Sequence, residues 1–160
     1  MVDFTGGISE VIKLGEAGPT DKQLFSTLMR AHTMRSLNCC SIQPDPVVHE
    51  AKTCLGLIKG HAYSITKVSI THHHSQHQYH HQVARARLRG GETEELVRVR
   101  NPWGGGAEWR GGWCDGSREW EMLGEGERRR IGLYFDNDGE WWMRVQDFNQ
   151  HFDQVSDTSK

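Results

Sequence analysis

The 160 residues amount to one domain by size, and a hydrophobic fraction of 36% with six Trp, five Phe and three Tyr supplies enough apolar side chain for a packed core. A formal charge of -2 gives no electrostatic reason for nucleic acid as a partner, and four cysteines without CxxC spacing argue against a zinc cluster or disulfide scaffold. No apolar run approaches the roughly 20 residues that a bilayer span needs, and no charged-then-apolar leader opens the sequence, so the expected compartment is the cytoplasm.

In chain order, Asp3-Phe4-Thr5-Gly6-Gly7 is a turn-prone lead-in. After Pro19, Thr20-Asp21-Lys22-Gln23 has the form of a capping box, in which a hydroxyl and a side-chain amide serve each other's free backbone N–H groups. Leu24, Phe25, Leu28 and Ala31 then recur at helical spacing, which predicts an amphipathic helix over about 21–35. Cys39-Cys40-Ser41-Ile42 reads as a short strand. The prolines of Gln43-Pro44-Asp45-Pro46 break it, because they cannot donate to a ladder, and 43–53 becomes a surface loop.

Residues 57–71 alternate as one long strand or two joined at a bend, with Ala62, Ser64 and Thr66 on one face and His61, Tyr63 and Ile65 on the other. His72, His73, His74, His77, His80 and His81 form a histidine-rich insertion, 72–81. Clustered imidazoles bind Zn²⁺ or Ni²⁺, but without a fixed scaffold the tract reads as an adventitious chelator on a loop. Strands are expected at 83–88 and 96–99, joined through Gly90-Gly91.

Asn101-Pro102-Trp103-Gly104 is a tight turn that opens a glycine-rich loop, in which Trp109, Trp113 and Trp120 read as packing anchors. Residues 131–135 and 140–145 suggest a hairpin turning at Asp136-Asn137-Asp138-Gly139. A last short helix is expected at 147–152, and 156–160 should be a flexible tail.

His61 and Asn101 are the residues with the clearest chemical pairing. A thiol of ordinary pKa needs an imidazole to take its proton and to hold the thiolate as an ion pair, the role open to His61. The second ring nitrogen must meet a fixed partner if the ring is to keep one tautomer, which the side-chain oxygen of Asn101 can provide. Trp103 could cover that bond and keep water from competing for it.

The stretches Gly56-Leu57-Ile58-Lys59-Gly60-His61-Ala62-Tyr63-Ser64, Val97-Arg98-Val99-Arg100-Asn101-Pro102-Trp103-Gly104, Glu108-Trp109-Arg110-Gly111-Gly112-Trp113-Cys114-Asp115 and Asp138-Gly139-Glu140-Trp141-Trp142-Met143 resemble, in order, the second protease-core subdomain of calpains. Asp3 to Gly7, and Asp147-Phe148 with Phe152, look like that subdomain's borders. The resemblance implies an α+β fold, mainly antiparallel β, with two small sheets packed as a sandwich or open barrel, an N-terminal helix and short extra helices. It implies a calpain-type subdomain over 1–155 carrying catalytic His61 and Asn101, and a gating role for 43–53. It also implies a calcium site made by Glu108, Asp115, the Asp136 carbonyl, Asp138 and Glu140.

Three places depart from the calpain pattern: the histidine-rich insertion, which stretches the separation of His61 and Asn101, a longer and more glycine-rich connection after Asn101, and Arg144 where a serine is usual at the helix N-cap. In papain-like enzymes the cysteine lies well before the histidine, at a helix start and followed by an aromatic. None of Cys39, Cys40, Cys54 and Cys114 has that setting. The expected function is therefore the His/Asn half of a calcium-dependent cysteine endopeptidase, inactive alone, whose partners are a Cys-bearing subdomain, further regulatory domains and protein substrates. The rival readings are a non-catalytic calcium-binding or interaction module and a histidine-rich metal-binding protein.

Overall fold

A computed structural model describes residues 8–48, 50–71 and 93–159. The elements in order are β1 (Ile8–Lys13), α1 (Asp21–Thr33), β2 (Leu37–Ser41), β3 (Ala62–Ile70), β4 (Glu95–Arg100), a 3₁₀ helix (Arg118–Met122), α2 (Glu125–Ile131), β5 (Glu140–Arg144), α3 (Val145–His151) and β6 (Gln154–Ser159). The fold is α+β and mainly antiparallel β. Among the described residues no helix is long and apolar enough to cross a membrane.

The six described strands make one antiparallel sheet in the order β1-β6-β2-β3-β4-β5, where two small sheets were expected. The alternation of β4 explains how one sheet does the work of two. Val97 and Val99 face one core, with α1 and α3 packed on it through Leu24, Phe25, Leu28, Val145 and Phe148. Leu96 faces the other way, into a second core with Trp142, Trp113, Trp120, Leu123 and Ile131. Successive strand residues point to opposite faces, so each face of this sheet has its own apolar cover at the β4–β5 end. The glycine-rich loop, the 3₁₀ helix and α2 form the second cover, and Trp113 and Trp120 meet edge to face at 4.7 Å inside it.

Helix α1 starts as its sequence dictates. The Thr20 hydroxyl accepts from the Gln23 N–H at 3.4 Å while the Thr20 N–H donates to Gln23 Oε1 at 3.0 Å, completing the capping box. Helix α3 has no side-chain cap at Arg144, in line with the weak start expected there.

Two expectations need correction. Residues 131–135 are not a strand: Glu125–Ile131 is helical and stops at Gly132, whose φ of 67 lets the Leu133 N–H turn back to the Arg128 carbonyl at 2.8 Å. The partner of β5 is β4 instead, in the register Val99↔Trp141 and Val97↔Met143. The tail is also not free, since residues 154–159 are β6, paired to β1 on one side and to β2 on the other. Its only apolar residue is Val155, so backbone pairing rather than a hydrophobic pattern makes it a strand. The histidine-rich insertion 72–81 and the strand expected at 83–88 lie outside the described residues.

Because among the described strands β6 alone joins β1 to the others, ending the chain after Asp153 should remove the cooperative thermal transition. An unchanged melting temperature for the truncated chain would mean that β6 is dispensable after all.

Candidate active site

His61 and Asn101 sit just beyond the ends of β3 and β4, whose ladder closes with Ser64↔Arg100. Both are buried, at 8% and 1% exposure, which for two polar side chains requires satisfied hydrogen bonds. His61 Nε2 lies 2.9 Å from Asn101 Oδ1. The same Oδ1 accepts the Trp103 backbone N–H at 3.0 Å, and Asn101 Nδ2 donates to the Ala107 carbonyl at 3.4 Å. A backbone N–H can only donate and a carbonyl can only accept, so these two contacts fix which end of the amide faces His61. In the neutral ring Nε2 must therefore carry the proton, which leaves the lone pair on Nδ1.

The surroundings hold that arrangement. The Asn101 N–H donates to the Gly139 carbonyl at 2.8 Å, tying the residue to the turn before β5. On the histidine side, the Gly60 N–H donates to the Ile42 carbonyl at 2.9 Å. Tyr63 meets the imidazole edge to face at 4.8 Å, and its hydroxyl accepts from the Ile58 N–H at 2.7 Å. Burial pushes that phenol up to about 12, so it remains a neutral hydrogen-bonding post. Trp103 lies with its ring 4.2 Å from the imidazole, tilted by 49°, while 61% of the residue stays exposed. It covers the ring from one side. Beside His61 opens a cleft of about 310 Å³, lined by Ser41, Ile42, Gln43, Gly60, Ala62 and Gln154.

Burial raises the thiols of Cys39, Cys40 and Cys114, with Glu119 and Asp115 adding to the effect at Cys114. All three keep their protons at neutral pH, the opposite of what a nucleophilic cysteine needs. Cys54 is exposed.

The loop 43–59 is attached to the loop that follows Asn101. Lys52 Nζ donates to the Gly106 carbonyl at 2.8 Å, and the Arg110 N–H donates to the Leu55 carbonyl at 3.0 Å. Gly56 packs so closely that a Cβ there would stand 2.1 Å from the Glu108 carbonyl oxygen. Sequence alone gave no sign of these contacts, or of the role of Asn137, whose Oδ1 accepts the Gly106 N–H at 3.2 Å. A Cβ on Gly105 would lie 2.5 Å from Asn137, so glycine is what allows the loop to close onto the turn before β5.

The acidic residues gather where these two loops meet. Glu108 Oε1 accepts the Gly139 N–H at 2.9 Å, and Asp138 Oδ1 accepts the Glu140 N–H at 2.8 Å. Asp115 is raised to about 6, first by burial and then by the neighbouring Glu108, with Asp138 and Asp136 adding to it and an N–H from Asp136 opposing it. Glu108, Asp136 and Asp138 are thus near enough for their charges to act on Asp115, and carboxylate oxygens are the donors that a hard cation such as Ca²⁺ takes. The Glu140 carboxylate meets Arg98, its Oε2 lying 3.3 Å from Nε. Among the described residues no three Asp, Glu, His or Cys side chains stand at metal-holding distance. The donor chemistry, carboxylate and carbonyl oxygens on two loops, is nonetheless the kind that a calcium ion takes.

A family model described as calpain family cysteine protease matches residues 1–158. The chain is 46% identical to Calpain-B and 47% identical to Calpain-A of Drosophila melanogaster, each over 155 residues that make up 97% of this chain. It is 40% identical to Calpain-9 of Homo sapiens over 156 residues. The chain spans 15% of the length of the first of these relatives, 17% of the second and 20% of the third.

The burial and crowding of Asp115 have a direct consequence for stability. Its carboxyl keeps a proton up to about pH 6 when folded but only to about its ordinary 3.8 when unfolded, so the folded state binds more protons in between. Stability must then fall as pH rises through that window, with the full penalty present above it. In calcium-free buffer Asp115→Asn should raise the melting temperature at neutral pH and flatten its slope across the window. A slope as steep as in the parent chain would mean that Asp115 is not the group being crowded.

Proposed function

The chain belongs to the calpain family of cysteine proteases, and from that premise we propose that it is the His/Asn half of a calcium-dependent endopeptidase, the second subdomain of the protease core. The observation that carries the reading is the 2.9 Å contact between His61 Nε2 and Asn101 Oδ1, in which the Asn101 amide is oriented by Trp103 and Ala107. It leaves Nδ1 as the nitrogen that faces a thiol.

In the assembled enzyme a Cys-bearing subdomain supplies that thiol. His61 Nδ1 takes its proton, giving a thiolate–imidazolium pair, and later returns a proton to the leaving amine. Asn101 contributes by keeping Nε2–H engaged, so the ring neither rotates nor changes tautomer between the two transfers. Trp103 limits water access to the Asn101–His61 bond, which is stronger in a drier site. The cleft beside His61 receives part of a protein substrate, and the loop 43–53 at its edge gates entry.

Glu108, Asp115, Asp138 and the Asp136 carbonyl would hold calcium, with Glu140 joining them. When bound, the ion supplies positive charge that relieves the crowding of these carboxylates and ties the loop after Asn101 to the turn before β5. Asn101 and Trp103 are anchored at that same junction, so order there favours the paired arrangement by no more than the difference in calcium affinity between the ordered and disordered loops.

With calcium present, the chain on its own should leave casein uncut. In the full-length enzyme His61→Ala should abolish cleavage, and Asn101→Ala should lower kcat/KM by roughly 10²-fold or more, the scale on which a mispositioned catalytic group acts. Cleavage by the chain alone that thiol alkylation stops would overturn the division of labour, because one of its own cysteines would then be the nucleophile.

A further inference from the structure

Glu140 stands in a strand position that leaves it a choice of partners. It is directly opposite Arg100 in the β4–β5 ladder, yet its carboxylate reaches diagonally to Arg98, with Oε2 3.3 Å from Nε. Its own N–H is bonded to Asp138 Oδ1 at 2.8 Å, so its backbone is already at the acidic junction while its carboxylate is engaged by Arg98.

Arg98 is placed by more than that ion pair. Its Nε donates to Thr66 Oγ1 at 3.0 Å, and its guanidinium carbon lies 5.8 Å from the Trp142 ring centroid. Thr66 is in position because β3 carries a bulge between Ile65 and Lys67, the irregularity that leaves Lys67 paired with Arg98 across the ladder. Like charges directly opposite one another are unfavourable, which gives Arg98 a further reason to keep a carboxylate. Lys67 satisfies itself elsewhere, donating from Nζ to the Ile131 carbonyl at 2.7 Å at the end of α2. Arg130 likewise has Glu127 at 2.7 Å. Glu140 is the carboxylate that the structure gives to Arg98.

We infer that Arg98 is a built-in competitor for calcium, a positioning residue that holds the Glu140 side chain away from Glu108, Asp115 and Asp138 and so sets how much calcium the junction requires. The inference rests on the calcium reading proposed above. Full coordination then needs the Arg98–Glu140 pair to break, and the observed affinity is lowered by the share of molecules in which Glu140 is held.

Calorimetric titration of the purified chain with CaCl₂ tests this without any measurement of proteolysis. Arg98→Gln should tighten calcium binding by roughly two- to fivefold, the scale of a part-exposed ion pair. Removing a positive charge would also help calcium through space, so the decisive arm is the same substitution in a Glu140→Gln background. There the gain should vanish, whereas a purely long-range effect would persist at full size. Thr66→Val keeps the Arg98 charge and removes its anchor. It should give a smaller gain in the same direction, and it covers the case in which Arg98→Gln fails to fold. An unchanged affinity in both the Arg98 and Thr66 variants, or an equal gain with and without Glu140, overturns the competitor. If the parent chain binds no calcium at millimolar concentration, the calcium reading itself fails, an outcome recognisable before any variant is made.

Discussion

The bond between Asn101 and His61 depends on two strand ends being held in register, and most of the described structure can be understood from that constraint. β3 and β4 bring the residues alongside one another, but the ladder ends at Ser64↔Arg100, so the last step is left to contacts outside the sheet. On one side the Asn101 N–H is fixed by Gly139. On the other, Gly60 and Tyr63 fix the approach to His61. A single amide side chain then makes three hydrogen bonds at 1% exposure, and each limits the freedom of the others. Buried polar networks of this kind specify geometry because leaving any member unsatisfied is costly.

The same junction places the acidic residues. Gly139 both receives the Asn101 N–H and donates its own N–H to Glu108, so one turn serves the imidazole partner and the carboxylate cluster together. Gly139 has a φ of 84 and packs against Gly104, where a Cβ would come within 2.7 Å of the carbonyl. Glycine is needed there for both backbone angle and space. Lys52 and Leu55 extend the junction to the loop 43–59, so the edge of the cleft, the imidazole partner and the acidic residues share one set of backbone contacts. Through this sharing, a cation held at the carboxylates as proposed would also act on the geometry at His61.

Much of this was legible in the sequence, for reasons that can be traced to particular residues. The capping box at Thr20 and the spacing of Leu24, Phe25 and Leu28 are local signals, and helix α1 follows from them. That His61 and Asn101 meet was legible because their residue types and flanking motifs resemble one family over nearly the whole chain. The tail 156–160 was misread because strand β6 has almost no hydrophobic pattern, and its pairing to β1 and β2 is a property of the sheet. Residues 131–135 were misread because apolar Ile131, Leu133 and Phe135 alternate like a strand, while Gly132 in the left-handed region ends a helix. The Arg98–Glu140 pair was invisible in the sequence. The reach of Arg98 to Glu140 follows from the bulge at Thr66, which appears only once the strands are paired.

The central claim, that Asn101 holds His61 as the Nε2–H tautomer with Nδ1 free, can be read directly by nitrogen NMR of the imidazole at a pH where the ring is neutral. The account requires the resonance bonded to hydrogen to be Nε2 and the unprotonated one to be Nδ1, with a tautomer mixture appearing in Asn101→Ala. A ring found as Nδ1–H in the parent chain, or a tautomer population indifferent to the loss of Asn101, would contradict it.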